Sequence, residues 1–220
     1  MKGKFLPLLL GVLMTVVVLA AFVYAEPEAT LGDAGRVVFF HIPAAWVAVL
    51  SFFVSMVCSI QYLRRGKVTD DRGAVAAAEL GLVFTIIATI TGAVFANLAW
   101  GTPWNWDPRE TTIFVLLLVY LAYFALRMAI EEEDQRARLS AVYAIFAFIT
   151  VPFLVFILPR VYWTLHPDPL ISAGGQASMA MTPRMLQVFM TSLLAFTGLF
   201  VWIYRLQVRI AALRDKLQNK

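Results

Sequence analysis

Six long apolar runs follow one another along the chain, at about residues 5–24, 37–63, 79–98, 111–130, 139–158 and 183–206. Each reaches the roughly 20 residues that an α-helix needs to cross the hydrocarbon core of a bilayer. None carries a charge deep in its centre. No period of 20–50 residues repeats, and no low-complexity linker divides the chain. The pattern predicts one polytopic membrane domain over residues 1–220: an all-α integral membrane protein built as a six-transmembrane-helix bundle.

Helix punctuation fits this map. Asp107-Pro108-Arg109-Glu110 reads as a capping box, with Asp107 at the N-cap, Pro108 at the first helical position and Glu110 two residues on. Thr182-Pro183 plays the same part before the last run. Pro152 lies inside the fifth run, where it removes a backbone donor and predicts a kink. Gly92 and Ala96 have the spacing of a close helix contact.

The basic residues orient the bundle. Fourteen of them (Lys2, Lys4, Arg64, Arg65, Lys67, Arg72, Arg127, Arg136, Arg138, Arg205, Arg209, Arg214, Lys216 and Lys220) fall on one side. Arg36, Arg109, Arg160 and Arg184 fall on the other, which accounts for all 18. Both termini are therefore expected in the cytoplasm, with outer segments at about 25–36, 99–110 and 159–182. Lys2, Lys4 and the small residues around Val23-Tyr24-Ala25 resemble a signal peptide. The first apolar run is longer than the roughly 7–15 residues usual for one, so it is read as an uncleaved helix.

Composition narrows the class. Hydrophobic residues make up 61% of the chain and charged ones 15%, against roughly 25% charged in a soluble domain. This excludes a typical soluble enzyme, a disordered chain and a disulfide-stapled module. The net charge of +4 reflects topology, so no nucleic-acid partner is expected. Cys58 is the single cysteine. It permits no internal disulfide, no Cys-x-x-Cys-His haem attachment and no cysteine-based zinc site, and it reads as a small buried hydrophobe.

The unusual residues gather on the outer side. His41 and His166, the only two histidines, both fall there. So do Trp46, Trp100, Trp104, Trp106 and Trp163, leaving only Trp202 at the inner edge. An aromatic belt would populate both interfaces. Pro103 forbids a regular helix through Trp100–Asp107, so a loop at the membrane surface presents these rings. Taken singly, each histidine reads as a polar tip, each tryptophan as an anchor, and Asp107 and Glu110 as helix caps. Their coincidence suggests haem. A flat apolar ring packs on aromatics, its iron takes imidazole above and below, and its propionates pair with arginine. Arg36, Arg109, Arg160 and Arg184 are the candidates for that pairing.

Trp100-Gly101-Thr102-Pro103-Trp104-Asn105-Trp106-Asp107-Pro108-Arg109-Glu110-Thr111 resembles the tryptophan-rich "WWD" signature of membrane proteins that handle haem for c-type cytochrome assembly. Phe40-His41-Ile42-Pro43-Ala44-Ala45-Trp46 and Tyr162-Trp163-Thr164-Leu165-His166 resemble the two histidine segments of the CcmC family in particular. The likeness runs from about residue 30 to 206. The Asp107–Thr111 ending is closer to the larger sibling cytochrome c synthases. The resemblance implies haem b as a transiently bound cargo on the outer, periplasmic face of a bacterial inner membrane. His41 and His166 would be the axial ligands. Trp100, Trp104, Trp106 and Asp107 would form the docking platform, with Trp163, Arg109, Arg160 and Arg184 as further haem contacts.

The implied partners are the periplasmic haem chaperone CcmE, the transporter subunits CcmA and CcmB, and the small membrane protein CcmD. The chain has no Walker A motif, so ATP work belongs to such a partner. No bond-making residue is evident, and a binding and delivery protein is expected rather than an enzyme. A bis-histidine cytochrome in quinone-linked electron transfer and a small-molecule permease are the competing readings. The permease would need polar residues or broken helices near the midplane, for which Pro152 is the only hint.

Two expectations follow. The segment 167–182, with Gly174-Gly175, should be mobile until haem or a partner binds, which would let a loop-borne His166 open. Asp107→Asn should cost little haem if Asp107 is only a cap, and should impair loading or transfer if it contacts haem or the chaperone.

Overall fold

A computed structural model describes residues 5–29, 31–166 and 181–218. Among these residues the chain is helical, with six helices long and apolar enough to cross a membrane. Helix α1 spans Phe5–Leu19 and widens into a π turn over Ala20–Tyr24. A 3-10 turn at Asp33–Val37 leads into α2, Val38–Arg65. Helix α3 follows over Val68–Trp100, then α4 over Pro108–Ala129 and α5 over Glu133–Pro152. A π turn at Phe153–Ile157 joins α5 to the short α6, Leu158–Val161. Helix α7 runs from Pro183 to Gln218.

The expected kink at Pro152 takes the form of that π turn. Proline offers no N–H and crowds the carbonyl four residues back, and the backbone responds by widening. A second proline, Pro43, lies one turn inside α2. It leaves the Phe39 carbonyl without its helical donor, and the buried Ser192 hydroxyl of α7 donates to that oxygen instead. This bond ties the histidine-bearing turn of α2 to α7.

Close packing of α2 on α3 forms the centre of the molecule. The face of α3 toward α2 is built from Gly73, Ala74, Ala77, Ala78, Gly81 and Ala88, all buried. In a bilayer such small residues let helix backbones approach, and dispersion supplies the attraction. The Phe52 ring lies over Gly81, where an added Cβ would meet Cε1 at 2.3 Å. The same ring stacks on Tyr120 of α4 with centroids 3.4 Å apart. Two buried clusters extend from the contact of α2 with α3. One joins α2 and α3 to Leu116, Tyr120, Ala144 and Val151 of α4 and α5. The other joins them to Phe196 and Phe200 of α7.

Helix α3 starts at Val68, ahead of the apolar run. Its polar first turns are held by ion pairs. Arg127 of α4 grips Asp71 with two bonds of 2.8 and 3.0 Å, and Arg72 pairs with Asp215 of α7. Nearby, Tyr62 Oη donates to Asp134 at 3.0 Å. These contacts gather at one end of the bundle. The histidines lie at the other.

Candidate functional site

The tryptophan loop begins where α3 stops. Gly101 takes a left-handed conformation, φ 76°, and closes the helix through its N–H on the Asn97 carbonyl at 3.0 Å. The chain then crosses to α4 through a hydrogen-bonded turn. Glu110 Oε2 accepts from the backbone N–H of Asn105 at 2.8 Å and of Asp107 at 3.3 Å. The Asp107 side chain caps α4 in return, completing the capping box expected from sequence. Between them Trp106 is held at φ 60°, a region that a bulky residue rarely enters.

Asp107 does more than cap. Its side chain is 1% exposed, and it collects donors from a segment 57 to 59 positions later. The Thr164 hydroxyl donates at 2.7 Å, and the Leu165 N–H at 2.7 Å. His166 Nδ1 lies 3.0 Å from Oδ1, and the Arg109 N–H completes the set at 2.9 Å. The Thr164 oxygen in turn accepts from the His166 N–H at 3.2 Å. One carboxylate therefore binds the start of α4 and the histidine segment together. Burial would raise the Asp107 carboxyl. The bonds from Arg109, Thr164 and Leu165, with the neighbouring imidazole, hold it below the ordinary carboxylate range.

Burial pushes the His166 imidazole down, to about 4. The Asp107 carboxylate opposes that shift, while the charges of Arg109 and His41 add to it. The ring is thus neutral near pH 7. Its Nδ1 proton goes to Asp107, and among the described residues no hydrogen bond is made to Nε2. The edge of Trp100 meets the ring at 5.0 Å between centroids and 65°, and Phe95 meets Trp100 in turn at 5.5 Å.

His41 sits in the first turns of α2 against the same end of α3. Its Nδ1 lies 3.1 Å from Thr91 Oγ1, and the ring neighbours the Ala88 carbonyl. The Thr91 hydroxyl spends its own hydrogen on the Ile87 carbonyl at 2.8 Å, so its oxygen accepts from His41. Among the described residues no hydrogen bond is made to Nε2 of His41 either. The ring lies on Gly92, where a Cβ would stand 3.0 Å from Cε1. Gly92 and Ala96 read from sequence as a packing pair. Gly92 in fact makes room for an imidazole.

The remaining candidates separate. Trp104 and Trp106 meet each other and Phe114 of α4 edge to face, at 5.7 to 6.4 Å, and Trp106 is 66% exposed. Trp163 stands out at 81% exposed. Arg36 is committed to Asp33 at 2.8 Å and to the Ala21 and Ala25 carbonyls in and just after the π turn that follows α1. Arg184 faces Glu26 at 3.7 Å and lies over the Tyr24 ring. Arg160 turns back to the Phe156 carbonyl of its own turn. Arg109 is the outer arginine whose charge reaches His166. The expected mobility of 167–182 falls mostly on 167–180, outside the described residues. Sequence reasoning missed Thr91 and Thr164, the hydroxyls that serve the two histidines. Their only signal is position, one beside Gly92 and the other two residues before His166.

A sequence model of the family described as "Heme exporter protein C" matches residues 2–220. The chain belongs to the Heme exporter protein C family. Two relatives bearing that family name come from Bradyrhizobium diazoefficiens and Paracoccus denitrificans. The first is 31% identical over 93% of this chain and 78% of the relative. The second is 36% identical over 77% and 68%. A putative cytochrome c biosynthesis ccmC-like mitochondrial protein of Marchantia polymorpha is 27% identical over 77% of this chain and 71% of its own length. In this family member the two histidine segments and the tryptophan loop between them meet at one end of the bundle.

Proposed function

We propose that this protein holds haem b as a transient cargo at the periplasmic face of a bacterial inner membrane and delivers it to a periplasmic haem chaperone for c-type cytochrome assembly. The names of its relatives support haem handling and the pathway. The observation that carries the reading is the pair of imidazoles at one end of the bundle. Each has Nδ1 committed to a partner and, among the described residues, no hydrogen bond to Nε2, and the charge of His41 reaches His166. Neutral imidazole is the form that ligates iron.

His41 and His166 are the axial ligands in this reading. Trp100 limits the rotation of His166, and the Trp104–Trp106–Phe114 cluster offers the porphyrin an apolar aromatic surface. Arg109 suits a propionate. Asp107, with almost no exposed surface, serves the docking platform by holding it together. The protein binds and releases and is not an enzyme. Its partners are the chaperone CcmE, the ATP-driven pair CcmA and CcmB, and CcmD in the surrounding lipid bilayer. Mixing the haem-loaded protein with purified chaperone tests delivery. Haem should move to the chaperone, with the His41→Ala and His166→Ala proteins carrying at least about tenfold less. Haem that stays on the parent protein in the presence of chaperone and ATPase contradicts the reading.

A further inference from the structure

The two imidazoles are backed by chemically different partners. His166 Nδ1 faces a carboxylate, Asp107 Oδ1, at 3.0 Å. That carboxylate is fixed from three other directions by Thr164, Leu165 and Arg109. His41 Nδ1 faces a neutral oxygen, Thr91 Oγ1 at 3.1 Å, and the ring has the Ala88 carbonyl beside it. Both settings fix the same tautomer, but they do not push equally. An anionic partner draws the Nδ1 proton, makes Nε2 more basic and strengthens its bond to a metal. A hydroxyl or carbonyl does so less. The surroundings differ too. His166 is clasped by its own segment and by Trp100, whereas His41 rests on the bare backbone at Gly92.

We propose that the two iron bonds are unequal by construction: His166, backed by Asp107, anchors the haem, and His41 is the ligand given up first during transfer. An acceptor's ligand then enters on the His41 face. The inference rests on the axial-ligand reading above. The step is a ligand exchange. The bond from iron to His41 Nε2 breaks, a bond to the incoming donor forms, His41 keeps its Nδ1 proton, and no electron changes hands. This reverses the simplest view of the chain, in which the histidine on a loop opens and the one on a helix holds.

Carbon monoxide added to the reduced, haem-loaded protein is the probe. It replaces the more weakly held ligand, and its C–O stretch reports the ligand that stays opposite. The parent and His41→Ala should give the same stretch. Asp107→Asn should shift it, and Thr91→Val should not. His166→Ala should also lose haem about tenfold more readily than His41→Ala. A parental stretch in His166→Ala, or a shift in Thr91→Val without one in Asp107→Asn, overturns the proposal. If Asp107→Asn fails to load haem, the comparison of the two histidine variants decides alone. A parent protein with no six-coordinate haem spectrum refutes the axial-ligand reading itself, and this proposal with it, and is distinct from either result above.

Discussion

Four donors converge on the Asp107 carboxylate, and the consequence is greatest for His166. Burial holds that imidazole near 4, below the roughly 6.5 of a free side chain. Because the folded value is the lower one, its contribution to stability is fully present above about pH 6.5. That contribution is lost as pH falls from 6.5 toward 4. In the haem-free protein an NMR titration of His166 should therefore show a midpoint near 4, with the ring neutral at pH 7. A midpoint near 6.5 would mean that burial does not set the ring's protonation, because Asp107 alone pushes the value up. Neither Thr91 nor Thr164 stands out in the sequence, because threonine is common in membrane helices and loops. What singles them out is an imidazole from elsewhere in the chain, or a turn of backbone two residues long.

At the scale of elements, the helices are placed by where side chains are missing. Phe52 of α2 fits because Gly81 of α3 has no Cβ, and the seated ring carries the stack with Tyr120 of α4. Gly81→Val should cost about 1–3 kcal/mol, as overpacking does in a filled core. Phe52→Ala should recover part of that loss, leaving a coupling energy of at least about 1 kcal/mol between the two changes. Thermal unfolding of the four proteins in detergent measures it, and additive losses would show that the two residues do not meet. The apolar runs marked these elements well, since the length of an apolar run is a local property. The early start of α3 was less legible. Asp70, Asp71 and Arg72 look like loop residues until Arg127 and Asp215 are seen to partner two of them. The capping box at Asp107 was legible, because both of its halves lie within four residues.

Over the whole molecule, the long helices set the two ends apart. At about 1.5 Å per residue, α3 and α7 measure about 50 and 54 Å, well beyond the ~30 Å of hydrocarbon. Their charged ends meet at the end away from the histidines. If the basic residues set orientation, that end is cytoplasmic. In a Cys58→Ser background, a cysteine at Trp163 should react with a membrane-impermeant maleimide on intact cells. Cysteines at Lys67 and Glu131 should react only after lysis. The opposite pattern would invert the bundle. The likeness between these histidine segments and those of haem-handling proteins was readable in the chain. The division of labour among the four outer arginines was not, since it depends on Asp33, Glu26 and the carbonyls that three of them find in the fold.

The central claim is that His41 and His166 hold one iron between them. It is tested most directly by the absorption spectrum of the detergent-purified protein with haemin, recorded beside His41→Ala and His166→Ala. With both imidazoles on one iron, the parent shows a six-coordinate Soret band that shifts or disappears in both variants. Unchanged spectra in the two variants, or no bound haem in the parent, would contradict it.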